Sequence, residues 1–294
     1  MAGHSMYPTL TTSYKNRFAF QLGTTSFIYP DKYAANVRLL APCFDEIELL
    51  MFESRPAQSL PARDEILALK GLAADFGIRY NVHLPYDVAP GGRDAVQRRQ
   101  AVDALRKVIA LTHPLDPTTY TLHLACGENP RDPDAVRRWK DRVQQSLKQI
   151  VGPDIPGRSL SIENLDYPLQ WLDELITAHD LSLCLDIGHL LIFSGELTET
   201  YVHYRDRIAL IHLHGVREGR DHLSLEQLTP AEKLTVANIL ENYTGSVSLE
   251  VFRFEHLLSS LGVLEKFQHS WEDQSTPSRR RETNEHPDPS ENRP

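Results

Sequence analysis

Seven side chains able to ligate a metal or carry a proton recur at one kind of place in this sequence. Glu48, His83, His123, Glu163, Asp186, His212 and Glu250 each lie in, or at the end of, a short β-rich run. Within those runs polar and apolar residues alternate. Ser159, Ser161 and Glu163 alternate with Leu160 and Ile162, and Ser182, Cys184 and Asp186 with Leu183 and Leu185. Ser246, Ser248 and Glu250 alternate with Val247, Leu249 and Val251, and His212 and His214 with Ile211 and Leu213. His83 stands between Val82 and Leu84, His123 between Leu122 and Leu124, and Glu46 and Glu48 share one face of their run. Successive side chains of a strand point to opposite sides, so each run has one apolar and one polar face. Several carboxylates cannot share a buried site without protons or cations to neutralise them. Metal ions are the natural compensation, and mixed His, Asp and Glu ligation suits zinc, manganese or iron(II). A lone strand histidine is usually a hydrogen-bonded structural residue, and a lone strand carboxylate usually has an arginine partner. Recurrence over strand after strand at one depth is what points to a metal site.

The elements that must position these groups can be read from the rest of the pattern. The candidate strands are Phe18–Ser26, Glu46–Phe52, Arg79–Pro85, Tyr120–Cys126, Ser159–Leu165, Leu181–Ile187, Ala209–His214 and Ser246–Phe252. Amphipathic helical runs separate them. In Ala62–Phe76 the residues Ile66, Leu69, Ala73 and Phe76 recur at steps of three and four, and Gly77 supplies a stop. Thr229-Pro230-Ala231-Glu232 offers a cap, a first-turn proline and a capping-box glutamate. Eight strand–helix units predict a single (β/α)8 TIM barrel over residues 18–267. Parallel strands usually read as near-continuous apolar runs; here the apolar set must face the helices and the polar set the barrel axis. The acidic and imidazole groups then converge at the C-terminal strand ends, where barrel active sites form. A doubly wound open sheet would ordinarily carry a glycine-rich fingerprint after its first strand, and Gly23-Thr24-Thr25-Ser26 is not one.

Composition narrows the class further. The 294 residues are 41% hydrophobic and 24% charged, with 31 basic against 40 acidic side chains and a net charge of −9. Such a balance argues against a partner that is nucleic acid or a membrane surface. Cys43, Cys126 and Cys184 cannot all pair within one chain and form no CxxC, so reduced thiols in a cytoplasmic protein are expected. Cys126 and Cys184 read as small wall residues rather than nucleophiles, and neither a GxSxG motif nor a P-loop is present. Residues 1–17 are polar, lack an apolar signal core and are expected to be flexible. Residues 268–294 have no hydrophobic side chain after Trp271, and a disordered tail is expected there. No run approaches the length of a bilayer span.

The series VHLPY (Val82–Tyr86), LHLACGE (Leu122–Glu128), SIENLD (Ser161–Asp166), CLDIGHL (Cys184–Leu190), IHLHG (Ile211–Gly215) and SLEVF (Ser248–Phe252) resembles the xylose isomerase-like barrel superfamily. That superfamily includes sugar isomerases and epimerases and one type of apurinic endonuclease. The resemblance covers about Phe18 to Phe267, and its motifs are specific as an ordered set, each being weak alone. It implies that Glu163, Asp186, His212 and Glu250 are shared metal ligands. In the endonuclease-like branch it implies that His83 and His123 hold a second metal, with Glu163 bridging. His189 would serve a third metal with an Asp and a His from the loop after the seventh strand. Here that loop gives adjacent Asp221-His222, where the endonuclease pattern has one residue between them, which favours His222. His214 replaces an expected polar residue and could be a ligand, a substrate contact or a proton carrier. Two or three divalent ions per chain are thus expected, most simply zinc, with manganese or iron as alternatives.

Within the superfamily, QLGTTSFIYP, DEIELLMFES, YNVHLPYD and CLDIGHL are most similar to the cobamide-remodelling phosphodiesterase branch. That similarity implies a metal-dependent hydrolase whose small-molecule partner is a cobamide. The nucleotide-loop phosphodiester would be cleaved to cobinamide phosphate and an α-riboside. Clustered cations suit such chemistry because they bind phosphodiester oxygens and acidify water. On this reading Glu163 and Glu250 are catalytic as well as ligating, and Glu48 could accept the proton of the attacking water. Arg217 and Arg253, which follow the seventh and eighth strands, could clamp a phosphate, with surface ion pairing as the alternative for each. Tyr29, Phe52 and Tyr86 follow strand ends and could pack on a large planar ligand or simply on the rim. The rival enzyme reading is a sugar or sugar-phosphate isomerase or epimerase with one metal on Glu163, Asp186, His212 and Glu250. DNA repair is disfavoured by the acidic balance and the lack of a basic stripe. The non-enzyme alternative is a cobamide carrier or sensor.

Overall fold

The strictly alternating runs become the staves of a closed cylinder. In the computed structural model, which describes residues 7–52, 59–193 and 196–275, the barrel strands are β1 (Gln21–Thr25), β2 (Glu46–Leu50), β3 (Arg79–His83), β4 (Tyr120–Leu122), β5 (Leu160–Glu163), β6 (Ser182–Asp186) and β7 (Ile208–Leu213). A two-stranded hairpin of β8 (Gly215–Arg217) and β9 (Arg220–Leu223) follows, and β10 (Ser246–Leu249) completes the cylinder. The closed order is β1-β10-β7-β6-β5-β4-β3-β2, every pairing parallel, with the antiparallel hairpin standing outside it. All eight expected strands are present; seven are shorter than their sequence pattern, and the seventh keeps its six residues, shifted back by one.

Helices cover the outside: α1 (Tyr33–Leu40), α2 (Arg63–Phe76), α3 (Ala95–Thr112), α4 (Pro133–Ile150), α5 (Asp173–His179), α6 (Ile187–Phe193), α7 (Leu197–Tyr204), α8 (Pro230–Glu241) and α9 (Phe254–Ser275). Between them and the sheet lies a continuous apolar layer that includes Leu22, Ile47, Leu49, Val82, Leu122, Leu160, Ile162, Leu183, Leu185, Ile211, Leu213, Val247 and Leu249. The helix ends obey local chemistry. Gly77 closes α2 in the left-handed conformation at φ 60°, which costs a glycine no Cβ clash. At the start of α8 the Thr229 hydroxyl accepts from the Glu232 amide while the Glu232 carboxylate accepts from the Thr229 amide, a complete capping box. Thr229→Ala should lower stability by about 1 kcal/mol, read as a shift of the urea midpoint with unchanged slope.

Residues 7–17 and 268–275 depart from the expected flexibility. Around Tyr14 the N-terminal segment packs against the floor of the barrel, just before β2: Tyr14 is buried, its amide donates to the Cys43 carbonyl, and its hydroxyl donates to Glu265. Arg17 bonds Gln268 and Glu265 on α9. The helix therefore continues to Ser275 instead of ending near Phe267. Trp271 is its anchor, packed against the apolar core beside Phe267. The expectation of disorder beyond Ser275 falls outside the described residues. The three cysteines are free thiols. No helix among the described residues is long and apolar enough to cross a membrane.

Candidate metal centre

Every group of the expected cluster comes from the C-terminal half of a strand or the residue just beyond it. His83, Glu163 and Asp186 end β3, β5 and β6; His212 is one residue short of the end of β7; His123 and Glu250 follow β4 and β10 directly. In the sheet register Asp186 lies beside His212, and His212 beside Ser248. Three overlapping sets of His and carboxylate ligand atoms, each within 4.8 Å of one another, result: His83, His123 and Glu163; Glu163, Asp186, His212 and Glu250; His214, His222 and Glu250; a fourth group joins the Cys184 thiol to Glu163 and His212. Glu163 belongs to the first two sets and Glu250 to the last two.

The histidines are sorted by which ring nitrogen is already in use. His83 Nδ1 lies 2.9 Å from the Leu84 carbonyl, His189 Nδ1 3.0 Å from the Asn164 carbonyl, and His222 Nδ1 3.1 Å from the Glu250 carbonyl. A carbonyl can only accept, so Nδ1 carries the proton in all three and Nε2 is left with its lone pair. His212 has the opposite arrangement. Its Nε2 donates to Glu48 Oε1 at 2.8 Å, and Ser248 donates to Glu48 Oε2 at 2.6 Å. His212 Nδ1 is thereby freed, and it faces Glu250 Oε2 at 3.1 Å and Glu163 Oε2 at 3.6 Å. Glu48 is fully buried with both oxygens engaged. That differs from the expectation of an open proton acceptor, because Glu48 lies one inward layer below His83 in the β2–β3 register. It positions His212. Glu48→Gln should weaken cation affinity by about 10- to 100-fold, measured by competition with a chromophoric chelator.

These residues fit divalent cations. His212 Nδ1 and Glu250 Oε2 are buried with no hydrogen-bond partner, a costly state for polar atoms that a cation would relieve. His83 Nε2, unprotonated because the ring proton sits on Nδ1 and is donated to Leu84, lies 3.2 Å from His123 Nε2 and 3.3 Å from Glu163 Oε2, while His123 Nε2 is 2.8 Å from Glu163 Oε2. Without metal, protons supply the positive charge. Burial disfavours the His212 imidazolium, but Cys184, Glu250, Glu48 and Glu163 outweigh it and raise its pKa well above the usual value. Burial pushes Glu163 up, yet His123 and His212 hold it well below the ordinary carboxylate range.

Other expected residues take different places. His189 and His222 come within ring contact, 6.5 Å between centroids, while Asp221 Oδ2 lies 3.8 Å from His222 Nε2. The loop that carries His222 is the β8–β9 hairpin, and His222 adopts φ 50° there. Tyr29 is buried in the wall rather than at the opening: its hydroxyl donates to the Pro8 carbonyl and its ring packs on Tyr7 and Phe254. Arg217 is exposed on the hairpin and bonds Gln227, and Arg253 is exposed at the start of α9. Tyr86 is half exposed and stands in a row of rings with Phe52, Phe27 and Phe252. Two residues were quoted in motifs without a role. Asn164 pairs with the Asp186 backbone twice, donating to its carbonyl at 2.9 Å and accepting from its amide at 2.7 Å. Gly188 lies directly under the His214 ring. Both sit inside IEN and LDIGH, the motifs that carried the resemblance.

Comparison with known proteins agrees with this architecture. The family described as xylose isomerase-like TIM barrel matches residues 39–271. No curated protein matches the sequence. Among solved structures, a D-tagatose 3-epimerase-like protein superposes with a TM-score of 0.73 at 18% identity, over 87% of this chain and all of that one. The 3-keto-D-glucoside 4-epimerase YcjR from E. coli gives 0.65 at 15% identity, over 85% and 99%. SacUVDE gives 0.63 at 14% identity, over 84% and 98%.

Proposed function

The chain belongs to the xylose isomerase-like TIM-barrel family, and from that premise we propose that it is a metal-dependent phosphodiesterase acting on a small molecule, the nucleotide loop of a cobamide. The observation that carries the reading is the shared carboxylate. Glu163 Oε2 is 2.8 Å from His123 Nε2, 3.3 Å from His83 Nε2 and 3.6 Å from His212 Nδ1, so one oxygen faces two complete ligand sets. Divalent cations held in both sets, zinc or else manganese or iron(II), would draw charge from a phosphodiester and acidify water. The chain's own contribution is to set the spacing. Glu163 ties the two sets together, Glu48 orients His212, and Asn164 fixes the strand end that bears Asp186.

The mouth favours a large, flat substrate. Phe52 makes edge contacts with Phe27, Tyr86 and Phe252 at 5.4, 5.9 and 6.0 Å, and Phe252 packs 4.8 Å from the His222 ring. Phe27, Phe52 and Tyr86 also line an open groove of about 1000 Å³ that runs beside the centre to Tyr33 and Leu60 and includes none of the ligand residues. The motifs that resemble the cobamide-remodelling phosphodiesterase branch motivate the same reading. A second reading has its own support. Glu163, Asp186, His212 and Glu250 form a full set for one metal, and the similar folds include sugar epimerases. On that reading Glu163 and Glu250 would move protons at a sugar carbon.

Elemental analysis of the purified protein, coupled to chromatography after incubation with adenosylcobalamin, tests the choice. Two or more metal ions per chain, with release of cobinamide phosphate and an α-riboside, are expected. One ion per chain, interconversion of ketoses and an intact cobamide would overturn the phosphodiesterase in favour of the epimerase. Stoichiometric corrinoid binding without turnover in the metal-loaded protein would make it a carrier.

A further inference from the structure

His214 differs from every other histidine of the centre. It is fully buried, and both of its ring nitrogens are occupied by the protein. The His222 amide donates to Nδ1 at 3.0 Å. The Gly215 carbonyl also lies 3.3 Å from Nδ1, but the amide contact is the shorter and an amide N–H can only donate, so Nδ1 carries the lone pair and the ring proton sits on Nε2. That proton points at the Asp186 carboxylate, 3.1 Å from Oδ1 and 3.2 Å from Oδ2. The ring therefore has no lone pair left for an ion, although its atoms lie within ligand distance of His222 and Glu250. Its position is created by Gly188. A Cβ at that residue would meet His214 Cε1 at 2.0 Å, Nδ1 at 2.5 Å and Nε2 at 2.6 Å. Only a residue without a side chain leaves room for the imidazole.

We propose that His214 is a positioning residue and not a metal ligand, which holds the Asp186 carboxylate in its ligating orientation and anchors the His222 backbone, in a slot that Gly188 keeps open. The inference rests on the reading of this centre as a cation site. Asp186 Oδ1 also accepts from the His189 amide at 2.7 Å. Two donors from different elements, α6 and the β7–β8 junction, thus fix the carboxylate from both sides and leave Oδ2 turned toward His212 Nδ1, 4.0 Å away. His222 depends on the same ring. Its amide is held there by His214 while the residue adopts a left-handed φ of 50°, a conformation that a non-glycine residue keeps only when surrounding contacts impose it.

The test is titration of chelator-stripped protein with Zn²⁺ against a chromophoric competitor, which reads affinity and the number of ions separately. His214→Ala should weaken binding by about 10- to 100-fold and leave the number of ions per chain unchanged. His214→Gln, whose amide nitrogen can reach where Nε2 stood, should recover most of that loss. Gly188→Ala should reproduce the loss by displacing the ring. In the double variant Gly188→Ala/His214→Ala the added methyl should cost nothing further, because the ring it strikes is gone. If a single variant fails to fold, recovery of a cooperative melt in the double variant relative to Gly188→Ala reads the same contact. Loss of one whole ion per chain in His214→Ala would make it a ligand and overturn the proposal. Unchanged affinity in His214→Ala, or a full additional loss in the double variant, would overturn it as well. A wild-type chain that takes up no divalent ion would instead defeat the cation-site reading itself.

Discussion

Glu163→Ala should abolish phosphodiester cleavage, with a fall of about 10³-fold or more, on the order of 4 kcal/mol of transition-state stabilisation. Among the described residues, no other side chain belongs to both of these ligand sets. Removing it separates His83 and His123 from Asp186, His212 and Glu250 and strips the centre of its central negative charge. Bound metal should fall in parallel, which elemental analysis after gel filtration would measure. The fold should survive, because Glu163 faces inward while Leu160 and Ile162 of the same strand remain in the apolar layer. A circular dichroism spectrum unchanged from the parent would show it. Near-normal turnover in this variant would mean that the reacting atoms lie elsewhere.

The paired variant His83→Ala/His123→Ala should divide the two enzyme readings. It empties one ligand set and leaves Glu163, Asp186, His212 and Glu250 intact. One ion per chain should be lost, and cleavage of a phosphodiester that needs both ions should fall by about 10²- to 10³-fold. An epimerase that uses only the four-residue set would keep most of its ketose interconversion. Full retention of phosphodiesterase activity would show that His83 and His123 merely fill the wall. A folding defect is recognisable because it would depress the two activities together.

Much of this was legible in the sequence because a strand has a period of two. Once Leu160 and Ile162 are assigned to the helix-facing side, Ser161 and Glu163 can only face the axis, and the same logic places Cys184 with Asp186 and Ser248 with Glu250. Depth along the axis was less legible. Glu48 and His83 both alternate correctly, yet the stagger between neighbouring strands sets Glu48 opposite Asn81 and leaves His83 opposite Leu50, one layer higher. That stagger turns Glu48 from a candidate base into the partner of His212. The hairpin at residues 215–223 reads as a plain loop in the sequence, since its strands are only three and four residues long and carry no apolar alternation. Tyr29 followed a strand end, as a rim residue should, but its hydroxyl found the Pro8 carbonyl in a segment that looked too polar to pack. The last helix ran past its expected end for a similar reason: Trp271 had a floor to cover, formed by residues remote in sequence.

Three imidazoles here owe their orientation to main-chain oxygens, of Leu84, Asn164 and Glu250. Main-chain atoms are untouched by side-chain replacement, so sequence drift around the centre has little leverage over how those rings point. Ring planes set by the peptide scaffold are also in place before any ion arrives. Swapping one transition metal for another should then alter Lewis acidity and residence time while the rings barely turn, and discrimination among metals of similar radius would fall to their abundance around the protein.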